Sequence, residues 1–149
     1  MKRAELLAFM RRYRVAVATT VSTDRAPQAA VVGIAVSDQF EVVFDTLQTS
    51  RKARNLRQNP RVALVFGGWG VGEEQTLQYE GVADEPTGAE LKRMRELYFS
   101  VYPEGRARLA SWGGLIHVRV RPIWTRYSDF GQSPERVLEY TAGELEALE

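Results

Sequence analysis

The sequence predicts a mainly β protein of the α+β class, a six-stranded antiparallel barrel with peripheral helices. Short segments of two-residue alternation recur along the chain, separated by turn-length gaps. They follow one another as hairpins do, which argues antiparallel pairing rather than a doubly wound parallel sheet. No internal repeat and no long linker interrupts them, so the 149 residues read as one domain, 1–149, with the polar tail from about residue 131 peripheral.

The elements are justified in order. MKRAELLAFMRRYR reads as an amphipathic helix with Leu6, Leu7, Met10 and Tyr13 on its inner face. Arg11, Arg12 and Arg14 interrupt its apolar stretch long before it could span a bilayer. VAVATTV (15–21) is a strand with Val15, Val17, Thr19 and Val21 on one face and Ala16, Ala18 and Thr20 on the other. A turn at Asp24–Pro27 leads to a second strand over 28–36. FEVVFDT (40–46) then alternates as its hairpin partner. A short helix over 50–58 follows, halted by Asn59-Pro60.

RVALVF (61–66) reads as a buried strand, GGWGVGEE (67–74) as a glycine-rich loop, and QTLQYEGVA (75–83) as a strand with Leu77, Tyr79 and Gly81 inward. Thr87 and Glu90 form the capping-box pattern ahead of a helix striped by Leu91, Met94, Leu97, Tyr98 and Val101. IHVRV (116–120) and PIWTRY (122–127) are the closing strands, and TAGELEALE offers a last helix.

Bulk composition narrows the function. A formal net charge of +1 gives no general reason to expect nucleic acid or an acidic membrane as partner. Zero cysteines exclude a disulfide framework, a thiolate metal site and a cysteine nucleophile, and are compatible with a reducing cytoplasm. His117, the only histidine, shares a strand face with Leu115, Arg119 and Arg121 and reads as a surface or interface residue. A zinc site would have to be built mainly from carboxylates. Ser50 has no histidine nearby in sequence and is a poor nucleophile candidate. The glycine-rich loop lacks the Lys-Ser/Thr of a P-loop and leads into no helix.

The informative segment is T49-S-R-K-A-R-N-L56, closed by N59-P-R61. Thr49 or Ser50 is its N-cap, yet Arg51 and Lys52 place two cations at the positive end of the helix dipole. A bound anion would resolve the conflict, because free N–H groups, a serine hydroxyl and two cations suit a phosphate. The competing reading is a solvated basic face. From Arg51 to Arg61 there are five cations and no acid, while only Ala53 and Leu56 are inward contacts. Such a segment could meet RNA phosphates, but it lacks the interleaved aromatics of single-strand binders.

FEVVFDT-LQ-TSRKARNL-RQ-NPRVALVF resembles the core of the pyridoxamine-phosphate-oxidase-like family of FMN-binding split barrels, with the looser pattern covering roughly residues 12–128. The resemblance implies a homodimer holding one FMN in each of two clefts between subunits, with deazaflavin or haem as the alternative ligands. It implies that Thr46, Ser50, Arg51 and Lys52 bind the FMN phosphate, and that the strand around Val31 and Val32 lies along the flavin ring. Gln75 would reach flavin from the partner subunit, and Trp124 or Arg126 would border the ring. Gly33 fits either close approach to a ligand or an ordinary bulge.

The chain departs from the vitamin B6 oxidases where they carry Arg and Lys on the second strand; Ala30 and Ala35 stand there instead. Asp45 replaces the family aromatic and falls beside the expected phosphate, where it would oppose an anion or pair with Arg51 or Arg54. The C-terminal Arg-x-His-type substrate motif is missing. The expectation is therefore a cytoplasmic, dimeric FMN-dependent oxidoreductase acting on a small molecule other than a B6 vitamer. A flavin, deazaflavin or haem carrier without turnover is the alternative.

Overall fold

The structure is a computed structural model and describes all residues, 1–149. Helix α1 (Arg3–Arg11) precedes strands β1 (Val15–Val21), β2 (Pro27–Gly33), β3 (Ala35–Val36) and β4 (Val42–Leu47). Helix α2 (Arg51–Gln58) leads to β5 (Arg61–Gly67) and β6 (Gln75–Asp84). Helices α3 (Gly88–Val101) and α4 (Gly105–Ser111) precede β7 (Leu115–Asp129), β8 (Arg136–Thr141) and α5 (Ala142–Glu146).

All pairings are antiparallel, in the order β2-β1-β5-β6-β7-β4-β3, with β8 on β7. The two edges of this curled sheet, β2 and β3, are successive in the chain. They are joined through Ile34 with no ladder between them, which leaves the barrel split.

The expected class holds, with eight strands instead of six. The 28–36 segment breaks at Ile34, whose N–H turns to the Arg14 carbonyl at 2.9 Å, so β2 pairs β1 and only β3 pairs β4. The main partner of β4 is β7. The two expected closing strands are one 15-residue strand. Pro122 ends no strand because it sits at a bulge: Gly81 pairs Pro122 while Glu80 pairs Trp124. A Cβ at Gly81 would lie 2.4 Å from a Val120 methyl, so only glycine admits this crossing.

Strand β5 is half-buried rather than buried: Val62, Leu64 and Phe66 face in, and Ala63 and Val65 face out. The tail is less peripheral than its polarity implies. β8 extends the sheet, Leu145 of α5 is buried in the core, and the Glu149 carbonyl accepts from Arg3 N at 2.8 Å. Thr141 caps α5 in a formed capping box, whereas Thr87 makes no side-chain cap on α3. Glu90 is drawn instead to Arg93 and Arg119, each at 2.7 Å or less. Helix α4 has no strong periodic signal and was not expected.

The main core fills the barrel between α1, α2 and the sheet, with Phe40, Phe44, Phe66, Leu64, Leu77 and Tyr79 at its centre. Phe9 adds to the expected inner face of α1, and Tyr13 is only half-buried. A second, smaller cluster of Ala35, Val43, Met94, Tyr98 and Phe99 lies on the other face of β4, under α3.

Candidate functional site

The end of β4 and the start of α2 bring the phosphate-binding candidates together. Ser50 is the N-cap, with extended backbone and its hydroxyl accepting from Ala53 N at 3.1 Å. Thr46 is buried, and its Oγ1 lies 2.9 Å from Ser50 Oγ. Ala53 and Leu56 bury the inner side of α2. That leaves Arg51 exposed and Lys52 half-buried over a groove of about 290 Å³, whose other walls are Thr20, Gln28, Ala29 and Ala30.

Three residues missed by sequence reasoning fix this groove. Asn55 Nδ2 donates to Thr20 Oγ1 and Gln28 Oε1, both at 2.9 Å, and so ties α2 to β1 and β2. The available signal was Asn55 standing one helical turn after Arg51, on the face of α2 that meets the sheet.

The basic run then resolves into two groups. Arg57 pairs Glu85 at 2.6 Å, Arg61 pairs Glu80 at 3.5 Å, and Arg54 donates to the Thr49 carbonyl. Arg51 and Lys52 form no ion pair. Arg51 feels the charge of Asp24 without a salt bridge, and two unbridged cations beside a capped helix start and a buried threonine are a donor set suited to a phosphomonoester.

Asp45 does not face this groove. Side chains alternate along a strand, so it projects from the face of β4 opposite Thr46. There its Oδ2 meets Arg108 Nη2 of α4 at 3.3 Å, not Arg51 or Arg54. His117, its cross-strand partner, is 2 % exposed rather than at the surface, packed edge-on against Tyr98 and Phe99. Arg95 Nε donates to its Nδ1 at 3.3 Å, which leaves Nε2 carrying the proton without a partner. Burial, and then the charge of Arg95, push its pKa down to about 4. Gly33 also has a packing explanation: the Tyr102 hydroxyl would stand 2.9 Å from a Cβ there.

Val32 points into the barrel and Val31 points out, 68 % exposed, so β2 presents its backbone next to the groove. Gln75 and Trp124 lie elsewhere. Gln75 opens β6 at the opposite end from Asp84, and the Glu85 after it pairs with α2. Trp124 shares an outer-face row with Ala29, Thr19, Ala63 and Glu80, four strand spacings from β2, or about 19 Å. Neither lines the groove of its own subunit.

The outer face is divided. Val15, Val17, Val31, Ala29, Ala63 and Val65 cover β2, β1 and β5, whereas Gln78, Glu80, Arg126 and Glu139 continue the same rows over β6, β7 and β8. Val15 at 41 % and Val65 at 36 % exposure join Val31 in an apolar half that no element of the chain covers.

A split antiparallel barrel with a phosphate-suited groove between an edge strand and a short helix defines the class of the FMN-binding split barrels. The chain belongs to the pyridoxamine 5'-phosphate oxidase family, whose model matches residues 3–147. It is 31% identical over 127 residues to a pyridoxine/pyridoxamine 5'-phosphate oxidase of Burkholderia mallei, a match covering 78% of this chain and 55% of that one. The chain thus spans about half the length of the curated relatives it matches.

Among solved structures, a heme binding protein from Mycobacterium smegmatis superposes with a TM-score of 0.80 at 18% identity, over 98% of this chain and 59% of that chain. A pyridoxamine 5'-phosphate oxidase-related, FMN binding protein from Nostoc punctiforme superposes with a TM-score of 0.68 at 14% identity, over 93% of this chain and 87% of that one. These likenesses show the fold. No helix is long and apolar enough to cross a membrane.

Proposed function

We propose that the chain is the subunit of a cytoplasmic, homodimeric FMN-dependent oxidoreductase acting on a small molecule other than a B6 vitamer. The observation that carries this reading is the pair of cations without a salt bridge, Arg51 and Lys52, over the groove of Thr20 and Gln28–Ala30. Arg51 and Lys52 would hold the phosphate by charge-assisted hydrogen bonds, with Ser50 and Thr46 behind them. The backbone of β2 around Val31 and Val32 would lie along the ring. Bound FMN would supply the electron or hydride transfer, and the chain supplies position and electrostatics.

The apolar half of the outer face favours a second copy as its cover, because an isologous contact sets the same patch against itself. Such a dimer would also give Gln75 and Trp124, remote from their own groove, a ligand to meet. Flavin is favoured over haem by His117, the only histidine, which is buried under α3 with Nδ1 engaged and is no axial ligand for a ligand in the groove.

The test is titration of the purified protein with FMN, followed by visible absorption, and then by NAD(P)H oxidation under air. A perturbed flavin spectrum and NAD(P)H-dependent turnover are expected. An unperturbed spectrum at saturating FMN would sink the reading, and binding without turnover with any reductant would leave a carrier.

A further inference from the structure

Gln75 lines a polar cleft of about 480 Å³ at the end of the barrel, together with Arg12, Glu73, Glu74, Asp129 and Gln132. Its amide is held from both sides. Arg12 Nη1 donates to Oε1 at 3.2 Å, and Nε2 donates to Asp129 Oδ2 at 3.1 Å. A guanidinium offers only donors and a carboxylate only acceptors. Rotating the amide by half a turn would therefore set N–H against N–H and oxygen against oxygen, so this orientation is fixed by chemistry. One N–H of Nε2 and one lone pair of Oε1 stay uncommitted.

Asp129 is itself anchored. It is buried, its Oδ1 accepts from Gly131 N at 3.0 Å, and its Oδ2 also accepts from Gln132 Nε2 at 2.9 Å. The Gln75 amide, and then the Gly131 and Gln132 donors, hold its carboxyl below the usual range, so it is ionised at neutral pH. On the other side, Arg12 is braced over the rings of Phe9 and Tyr13, at 5.2 and 5.9 Å from their centroids.

Gln75 is out of reach of its own groove. Strand β6 runs from Gln75 to Asp84, a length of about 30 Å, and α2 lies at its far end, where Ala53, Leu56 and Arg57 line one cavity with Ala83, Asp84 and Glu85. Whatever Gln75 touches in a cofactor site belongs to a second subunit.

We infer that Asp129 and Arg12 are positioning residues of the cofactor site, which orient the Gln75 amide so that it offers an N–H donor to flavin bound by the second subunit. The inference rests on the flavin reading above. A donor held at the ring stabilises the electron-rich reduced state more than the oxidised one, and a carbonyl oxygen in its place would do the reverse. Neither Asp129 nor Arg12 need touch the cofactor. They act through Gln75, as outer partners orient metal ligands.

The experiment compares wild type with Asp129→Asn, Gln75→Ala, the double variant and Gln132→Ala. Three readouts are followed: FMN dissociation constant, the position of the visible flavin band, and the flavin reduction midpoint. Asp129→Asn should weaken FMN by roughly three- to tenfold, the value of one net hydrogen bond. It should also move the midpoint to more negative potential.

In the Gln75→Ala background the same change should add nothing, since the coupling runs through that amide. Gln132→Ala, which removes one anchor of Asp129 but leaves its bond to Gln75 in place, should shift the midpoint in the same direction as Asp129→Asn and by less. Arg12→Ala, an exposed site, repeats the test from the opposite side if Asp129→Asn folds poorly, and should shift the midpoint in the same direction. Unchanged midpoint and affinity in flavin-loaded Asp129→Asn or Arg12→Ala, or full additivity with Gln75→Ala, would overturn the inference alone. A wild type that takes up no FMN would overturn the flavin reading beneath it and this inference with it.

Discussion

Asp45 lies directly across from His117 in the β4–β7 ladder, and both side chains project beneath α3 and α4, away from the groove at α2. One residue later, Thr46 faces the other way and meets Ser50. This alternation separates a structural acid from an anion site that adjoins it in sequence.

It follows that Asp45→Asn should leave FMN affinity within about twofold of wild type while lowering stability by roughly 1 kcal/mol, through loss of a half-buried charge-assisted contact to Arg108. FMN titration and urea unfolding of the same sample check both. A tenfold change in affinity with no loss of stability would put Asp45 in the site after all.

Arg51→Ala combined with Lys52→Ala should weaken FMN by about a hundredfold or more, since charge-assisted hydrogen bonds are worth about 1.5–3 kcal/mol each. Neither residue makes an ion pair, so the melting temperature without flavin should hold, as expected of surface changes within about 0.5 kcal/mol. Equal affinity for the variant and wild type would remove the phosphate assignment.

His117 links acidity to stability. Its folded pKa, about 4, lies below its ordinary value of 6.5. Above 6.5 both folded and unfolded forms are neutral, and the stabilisation is fully present. Between 6.5 and 4 the unfolded chain binds the proton first, so stability falls, by roughly 3 kcal/mol in total. His117→Gln, which keeps an acceptor for Arg95, should flatten the stability profile across that window relative to wild type. Denaturant unfolding at a series of pH values gives the comparison, and parallel profiles would contradict it.

The outer face makes its own demand. Val31→Asp should convert dimer to monomer in light scattering and release FMN, with the far-ultraviolet circular dichroism unchanged, because Val31 is two-thirds exposed in the single chain. A variant that stays dimeric and holds flavin would move the interface to another surface.

Much of this was written locally. The two-residue alternation of β1 and β6 and the cap of α2 follow from neighbours along the chain, so the class of fold and the grouping of Ser50, Arg51 and Lys52 could be read from the sequence, with Thr46 added by the family resemblance. What the sequence could not contain is which strand lies beside which. The break at Ile34, the pairing of β4 with β7, the passage of β7 through Pro122 and the recruitment of a polar tail as β8 are long-range outcomes, fixed by how the sheet curls to bury one face.

The same holds for side-chain fates. Arg57 and Arg51 read alike in sequence, but only Arg57 finds an acid, Glu85, brought up by the end of β6. His117 reads as a surface residue because its face carries arginines, yet α3 covers it. The sequence alone therefore determined the class of fold and the candidates for holding an anion. Tertiary structure decided which charges remain free to do so, because a charge is silenced only by a partner in space.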